Sequence, residues 1–156
     1  MAKTSKTNAK AKAKKNIKAK RGAVSHHAGL IYTMVLVSAA DREMNDSEMS
    51  SIGRDVLWLP AFRDFDQNRL PTVAAECAEL LDSNEGLENV LDLIAQAIPE
   101  KLRETAYALA CEIAAADGKV SQGEARILEM LRHRLGLGRL VSAAIERGAR
   151  ARTMRV

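Results

Sequence analysis

The chain has 156 residues, enough for one domain with a substantial core, and its 47% apolar but only 3% aromatic composition favours helices over strands. Its longest apolar run, residues 29–40, is shorter than the roughly 18 residues that a membrane helix needs, and the basic N-terminus lacks the apolar core of a secretory signal. We therefore expect a soluble, cytoplasmic protein in which Cys77 and Cys111 are buried free thiols.

Charge divides the chain into an acidic body with two basic ends. Residues 1–21 hold eight Lys and one Arg without any acid, residues 22–138 hold ten basic and nineteen acidic residues, and residues 139–156 hold five Arg and one Glu. The first stretch has almost no large apolar side chain, so residues 1–25 are predicted to be a disordered Lys-rich tail. It either solubilises the protein or attracts non-specific nucleic acid or anionic lipid.

Apolar periodicity predicts about seven helices and no strand over residues 26–150. Pro60 and Pro99 end helices at the residue before them, Pro71 suits a first helical turn, and Gly136 follows a helix end. The predicted helices begin and end near residues 26–40, 45–57, 68–81, 87–98, 99–117, 124–135 and 138–148. The fold class is an all-α compact bundle.

Two segments, VSAADREMNDSEMSSI and IAAADGKVSQGEARIL, read as copies of one helix-turn-helix unit. Aligning Asp41 with Asp117 also aligns Glu48 with Glu124, and small residues precede each Asp. We interpret this as an internal duplication with halves at about residues 28–82 and 99–148, because a single helix pair cannot bury its own apolar face.

Helix capping explains part of this pattern without any ligand. Asn45 and Ser121 each stand three residues before a Glu, and this spacing is typical of a capping box, in which the Glu side chain reaches back to the cap residue. On this interpretation Glu48 and Glu124 are structural.

The two aspartates are less easily explained by helix structure. Asp41 and Asp117 stand at C-terminal helix ends, where the helix dipole disfavours an anion, although Asp can also stabilise a turn. An Asp and a Glu joined by one bend supply the oxygen ligands that a hard cation prefers. Neither copy fits the EF-hand loop, because Asp46 and Gln122 occupy the position that needs Gly.

The small-small-small-Asp-Gly-x-Val-Ser-x-x-Glu pattern of IAAADGKVSQGE resembles the tellurite-resistance TerB family, and VSAADREMNDSE matches it more loosely, with Arg42 in place of Gly. The resemblance covers about residues 26–138. It implies a seven-helix bundle with a repeat and a cytoplasmic role in metal-stress complexes near the membrane. It also implies a divalent cation, with calcium favoured here, bound by four acidic residues: Asp41, Glu48, Asp117 and Glu124.

No phosphate loop, nucleophile motif or zinc spacing is evident, so we expect no enzyme and no small-molecule substrate. The leading hypothesis is a metal-stress protein of the tellurite-resistance type that works with other stress-response proteins. The alternative is a metal-free helical interaction module that docks through its basic ends on a membrane, nucleic acid or partner protein. Its candidate partner-binding edge is the one aromatic cluster, formed by Trp58, Phe62 and Phe65, which otherwise closes one end of the core.

Overall fold

A computed structural model describes residues 24–41 and 46–156. Most of the predicted Lys-rich tail lies outside these residues, and so do Arg42 and Asn45. The described residues form seven α-helices and no strand, which confirms the all-α prediction. We number the helices α1 (His26–Ser38), α2 (Asp46–Trp58), α3 (Leu70–Leu81), α4 (Gly86–Ala97), α5 (Arg103–Ala114), α6 (Gln122–Arg134) and α7 (Arg139–Thr153).

Helix α1 is the centre of the bundle. Ser25 caps it, since its hydroxyl accepts a hydrogen bond from the Ala28 amide at 3.2 Å, and every residue from 29 to 38 is buried. A helix that is apolar on all sides must be surrounded, and α1 packs against α3, α4 and α5. Gly29 permits the close approach of α4, because a Cβ added there would lie 3.0 Å from Ala97 Cβ.

The duplication is visible in the helix boundaries. Helix α2 covers residues 46–58 and α6 covers residues 122–134, so both the start and the end are displaced by 76 residues. The same displacement relates the end of α1 at Ser38 to the end of α5 at Ala114. Helix α5 packs against α1, so the first helices of the two copies form the middle of the bundle.

The last helix is longer than its sequence pattern predicts. The prediction ended it near Gly148, whereas α7 continues to Thr153. An isolated glycine costs only about 1 kcal/mol in a helix, and Gly148 lies where no atom would meet an added Cβ. The next residue, Ala149, is buried in the core and keeps α7 in place beyond Gly148.

Both cysteines are buried free thiols, as predicted. Burial raises the pKa of Cys77 and of Cys111 to about 12, so neither is a thiolate at neutral pH. Among the helices in the described part of the chain, none has both the length and the apolar character needed to cross a membrane.

Candidate functional site

The two repeated aspartates follow the central helices α1 and α5. Asp41 ends a short 3₁₀ turn, Ala39–Asp41, and its side chain is exposed. Asp117 lies in the corresponding turn after α5 and is exposed as well. Its Oδ1 accepts a hydrogen bond from the Lys119 amide at 3.3 Å, and the next residue, Gly118, has a φ of +90°. Asp117 therefore stabilises its own turn, one of the two roles that the sequence allowed.

The predicted capping box is present at the start of α6. The Glu124 amide donates to Ser121 Oγ at 3.1 Å, and the Ser121 amide donates to Glu124 Oε2 at 2.8 Å. Only 4% of Glu124 is exposed, so the bond from the Ser121 amide partners a carboxylate that has little contact with water. In the first copy Glu48 is equally buried, at 5% exposure, in the first turn of α2, but its predicted cap Asn45 lies outside the described residues.

A hydrogen bond between the two repeats joins the turn after α1 to the residue that caps α6. The Ser121 hydroxyl donates to Asp41 Oδ1 at 2.8 Å, although the two residues are 80 positions apart. Gly123 makes this approach possible, since a Cβ there would lie 2.9 Å from Asp41 Oδ1 and 3.2 Å from the Ala40 carbonyl oxygen. Sequence reasoning found Asp41 and Ser121 separately but did not predict that they meet.

The electrostatics of Glu124 link three of the four predicted ligands. Burial raises the pKa of Glu124, the hydrogen bonds from Ser121 oppose that rise, and the negative charges of Asp41 and Asp117 add to it. Asp41 and Asp117 therefore each lie close enough to Glu124 to repel its charge.

The arrangement is not a preformed metal centre. Within residues 24–41 and 46–156, no three His, Cys, Asp or Glu side chains are grouped so that they could hold a metal ion. Asp41 and Glu124 instead direct one oxygen each to Ser121, and Asp117 directs one to its own turn. What the fold supplies is a concentration of negative charge at the junction of the repeats.

The three predicted partner-binding aromatics have different environments. Trp58 is 76% exposed at the end of α2, whereas Phe62 is 3% exposed and belongs to the core, with Phe65 packed against it. The His27 ring lies 6.0 Å from Phe62 and 5.5 Å from Phe65 between ring centroids. The structural interpretation therefore fits Phe62 and Phe65, and a partner-binding role for this edge stays a prediction that rests mainly on Trp58.

A second group of charges, not predicted from the sequence, surrounds Asp55. Arg152 of α7 forms a salt bridge with Glu112 of α5 at 2.7 Å, and both residues line a cavity of about 410 Å³ together with Asp55 and Arg54. Burial raises the pKa of Asp55 to about 6, with a further contribution from the Glu112 carboxylate. These residues come from three helices, so no local sequence pattern could reveal the group.

The fold and the paired turns define an all-helical domain built on an internal duplication. The family model described as "Tellurite resistance protein TerB" matches residues 27–147 of the chain. The protein therefore belongs to the tellurite-resistance TerB family, which confirms the resemblance seen in its repeated motif. No curated protein and no solved structure matches the chain.

Proposed function

We propose that this member of the tellurite-resistance family is a non-enzymatic metal-stress protein that binds a divalent cation, with calcium favoured, at the junction of its repeats. The main support is the charge concentration formed by Asp41, Asp117 and Glu124. Repulsion of the Glu124 carboxylate by Asp41 and by Asp117 raises the free energy of the cation-free protein, and a divalent cation would relieve it. Cytoplasmic localisation and action together with other stress-response proteins belong to the same proposal.

The donor chemistry fits a hard cation. Carboxylate oxygens are the ligands that calcium prefers, and calcium tolerates irregular geometry better than magnesium does. Asp41 and Glu124 each accept a hydrogen bond from Ser121 with one carboxylate oxygen, and Asp117 accepts one from the Lys119 amide with one oxygen. Asp41 and Asp117 are exposed, so a cation would reach them without opening the core, whereas Glu48 and Glu124 are buried.

Calorimetric titration of calcium into the chelator-stripped full chain tests the proposal, with magnesium and zinc in parallel. We expect saturable calcium binding that Asp117→Asn abolishes and that Glu79→Gln leaves unchanged, because Glu79 is an exposed acid on α3, far along the chain from the repeated turns. Equal calcium binding by the wild-type protein and Asp117→Asn would overturn the assignment, and so would the absence of binding by any of the three cations.

A second candidate function is a metal-free helical interaction module. Its support is that the capping box gives Glu124 a structural role, while Trp58 exposes a large apolar ring at the end of α2. Partner binding would then use Trp58 together with the basic ends, with the Lys-rich tail docking on anionic lipid, nucleic acid or a partner protein. Deleting residues 1–21 tests the tail: unchanged binding to DNA and to anionic vesicles, with unchanged salt dependence, would contradict this function of the tail.

A further inference from the structure

Helices α6 and α7 both pack against α5, and they pack against α5 more extensively than against each other. Between them a cavity of about 740 Å³ opens on the surface. This volume lies within the range of roughly 300–1,000 Å³ that small-molecule sites in proteins occupy. We call it the α5 groove, since α5 forms its floor.

The floor of the α5 groove is apolar along its length. Tyr107 and Cys111 of α5 and its C-cap residue Ala115 stand four residues apart on one face, and Leu128 of α6 and Ala149 of α7 lie beside them in the lining. At 1.5 Å per residue this face is about 12 Å long. The one hydroxyl on the floor is already satisfied, because Tyr107 donates to Glu146 Oε1 at 2.6 Å.

The mouth of the groove adds apolar surface that water otherwise contacts. Val120 is 50% exposed and Met154 is 72% exposed, and both line the cavity. They supply the exposed apolar surface of the groove, because the apolar residues named above are each at most 9% exposed. A molecule with an extended hydrocarbon chain would remove this surface from water.

The direction of α7 places two of the three arginines that line the groove. The bonds Tyr107–Glu146 and Glu112–Arg152 link residues 39 and 40 positions apart, so α7 runs in the same direction as α5. Arg150 and Arg155, which both line the groove, therefore lie from its middle towards its Ala115 end.

Three arginines line the groove: Arg132 of α6, whose Nη2 lies 3.0 Å from His133 Nε2, and Arg150 and Arg155. Among the described residues, neither Arg150 nor Arg155 forms a salt bridge, whereas Arg152 is paired with Glu112. Three acidic residues line the groove. Glu146 accepts a hydrogen bond from the Tyr107 hydroxyl, and Asp117 accepts one from the Lys119 amide in its own turn. The third, Glu129, lies on α6, on the opposite wall from α7.

We propose that the α5 groove binds a single-chain amphiphile with an anionic head group. The acyl chain lies on Tyr107, Cys111 and Ala115, and the head group pairs with Arg150 and Arg155. Guanidinium groups form strong bidentate hydrogen bonds with carboxylate and phosphate, so a fatty acid and a lysophospholipid share the required chemistry.

Calorimetry of the full chain tests this site with probes kept below their micelle concentrations. Dodecanoate and dodecanoyl lysophosphatidate represent the two sources of the head group, and dodecyltrimethylammonium carries the same chain length with a cationic head. We expect one-to-one binding of at least one anionic probe, at least about tenfold tighter than binding of the cationic probe. The tighter of the two anionic probes identifies the source.

Two pairs of variants locate the site. Arg150→Glu with Arg155→Glu should weaken the anionic probe at least about tenfold. The matched control Arg139→Glu with Arg147→Glu makes the same change in net charge at exposed positions of α7 that do not line the groove, and it should bind as the wild type does. Ala125→Trp, which places a large ring in the groove from exposed Ala125, should block binding, whereas Ala144→Trp on exposed α7 surface should not.

Three results would overturn the proposal. The first is no saturable binding of either anionic probe, and the second is equal affinity for the anionic and cationic probes. The third is an equal loss of binding in the Arg150/Arg155 and Arg139/Arg147 variants, which would assign the interaction to net charge alone. Circular dichroism melting curves that match the wild-type curve establish that each variant is folded.

Discussion

The hydroxyl of Ser121 donates a hydrogen bond to Asp41 Oδ1 at 2.8 Å, so the cap of a helix in the second repeat also holds the turn of the first. The same hydroxyl accepts the Glu124 amide at 3.1 Å. One side chain therefore joins a local capping motif to a contact across 80 residues. Replacing Ser121 should therefore destabilise the repeat junction more than replacing an ordinary N-cap residue would.

A double-mutant cycle measures this coupling. Ser121→Ala should lower the free energy of unfolding by about 1–2 kcal/mol through loss of the cap. Asp41→Ala, at an exposed position, should lower it by roughly 0.5 kcal/mol. Because the two residues share one hydrogen bond, the double variant should fall short of the sum of the single effects by about 0.5 kcal/mol or more in urea denaturation.

Ser25 provides the control for this cycle. It caps α1 through the Ala28 amide, as Ser121 caps α6, but its capping bond does not involve Asp41. Ser25→Ala combined with Asp41→Ala should therefore be additive within about 0.3–0.5 kcal/mol. Additivity in the Ser121 cycle as well would contradict a direct bond between the repeats.

A pair of glycine substitutions tests the close approach at the junction. A Cβ on Gly123 would lie 2.9 Å from Asp41 Oδ1, whereas a Cβ on Gly53 in α2 would meet nothing within 4 Å. Alanine is the better helix former by about 1 kcal/mol. We expect Gly53→Ala to raise the free energy of unfolding by about 0.5–1 kcal/mol and Gly123→Ala to lower it by roughly 1 kcal/mol.

Thermal melting of both glycine variants checks this prediction. The Gly123→Ala variant should also weaken calcium binding if the cation uses Asp41, because the methyl group displaces that carboxylate. Stabilisation of the protein by both substitutions would mean that α6 and the first turn do not approach each other as described.

Most helix boundaries could be predicted from the sequence because they depend on local chemistry. Pro60 and Pro99 stop helices, and the Ser121–Glu124 capping box forms where its spacing indicates. The predicted end of α7 was wrong because Gly148, read locally, indicates a helix break. The burial of Ala149 outweighs this local preference, and that burial depends on packing against other helices.

The candidate sites were predicted only in part, for a related reason. The repeat identified Asp41, Asp117 and Glu124, but nothing in the spacing of either copy indicates that Ser121 bonds to Asp41 in the other copy. The α5 groove and the charges around Asp55 were not predicted, since each combines residues from three parts of the chain. Contacts between distant segments are set by how the helices pack, and apolar periodicity does not encode that arrangement.

Substitutions at Glu124 separate its capping role from a cation-binding role. Glu124→Gln keeps a side chain that can reach back to the Ser121 amide and removes the charge that Asp41 and Asp117 repel. We expect its stability without cation to stay within about 0.5 kcal/mol of the wild type, whereas Glu124→Ala should lose about 1 kcal/mol.

The calcium response of these variants completes the test, with thermal shift in calcium and in chelator as the measurement. If Glu124 is a ligand, both variants should lose the calcium-dependent increase in melting temperature. If Glu124 serves only the cap, Glu124→Gln should keep the wild-type calcium shift, and Glu124→Ala should be destabilised equally with and without chelator.

Asp55 should make the stability of the protein depend on pH. Burial raises the pKa of Asp55 from 3.8 to about 6, and the Glu112 carboxylate adds to the rise while Arg54 and Arg152 oppose it. Between about pH 4 and pH 6 the folded state therefore binds more protons at Asp55 than the unfolded state does. Its contribution to the free energy of unfolding falls as the pH rises through this window.

Replacing Asp55 with Asn removes that contribution. Asp55 is only half-buried, so solvent screening reduces the effect, and we expect Asp55→Asn to stabilise the protein at pH 7 by about 1 kcal/mol and to have little effect at pH 4. Urea denaturation at pH 4, 5, 6 and 7 measures the difference, with exposed Glu79→Gln as the control. Parallel pH profiles for the wild type and Asp55→Asn would show that the Asp55 carboxyl ionises equally easily in the folded and unfolded states.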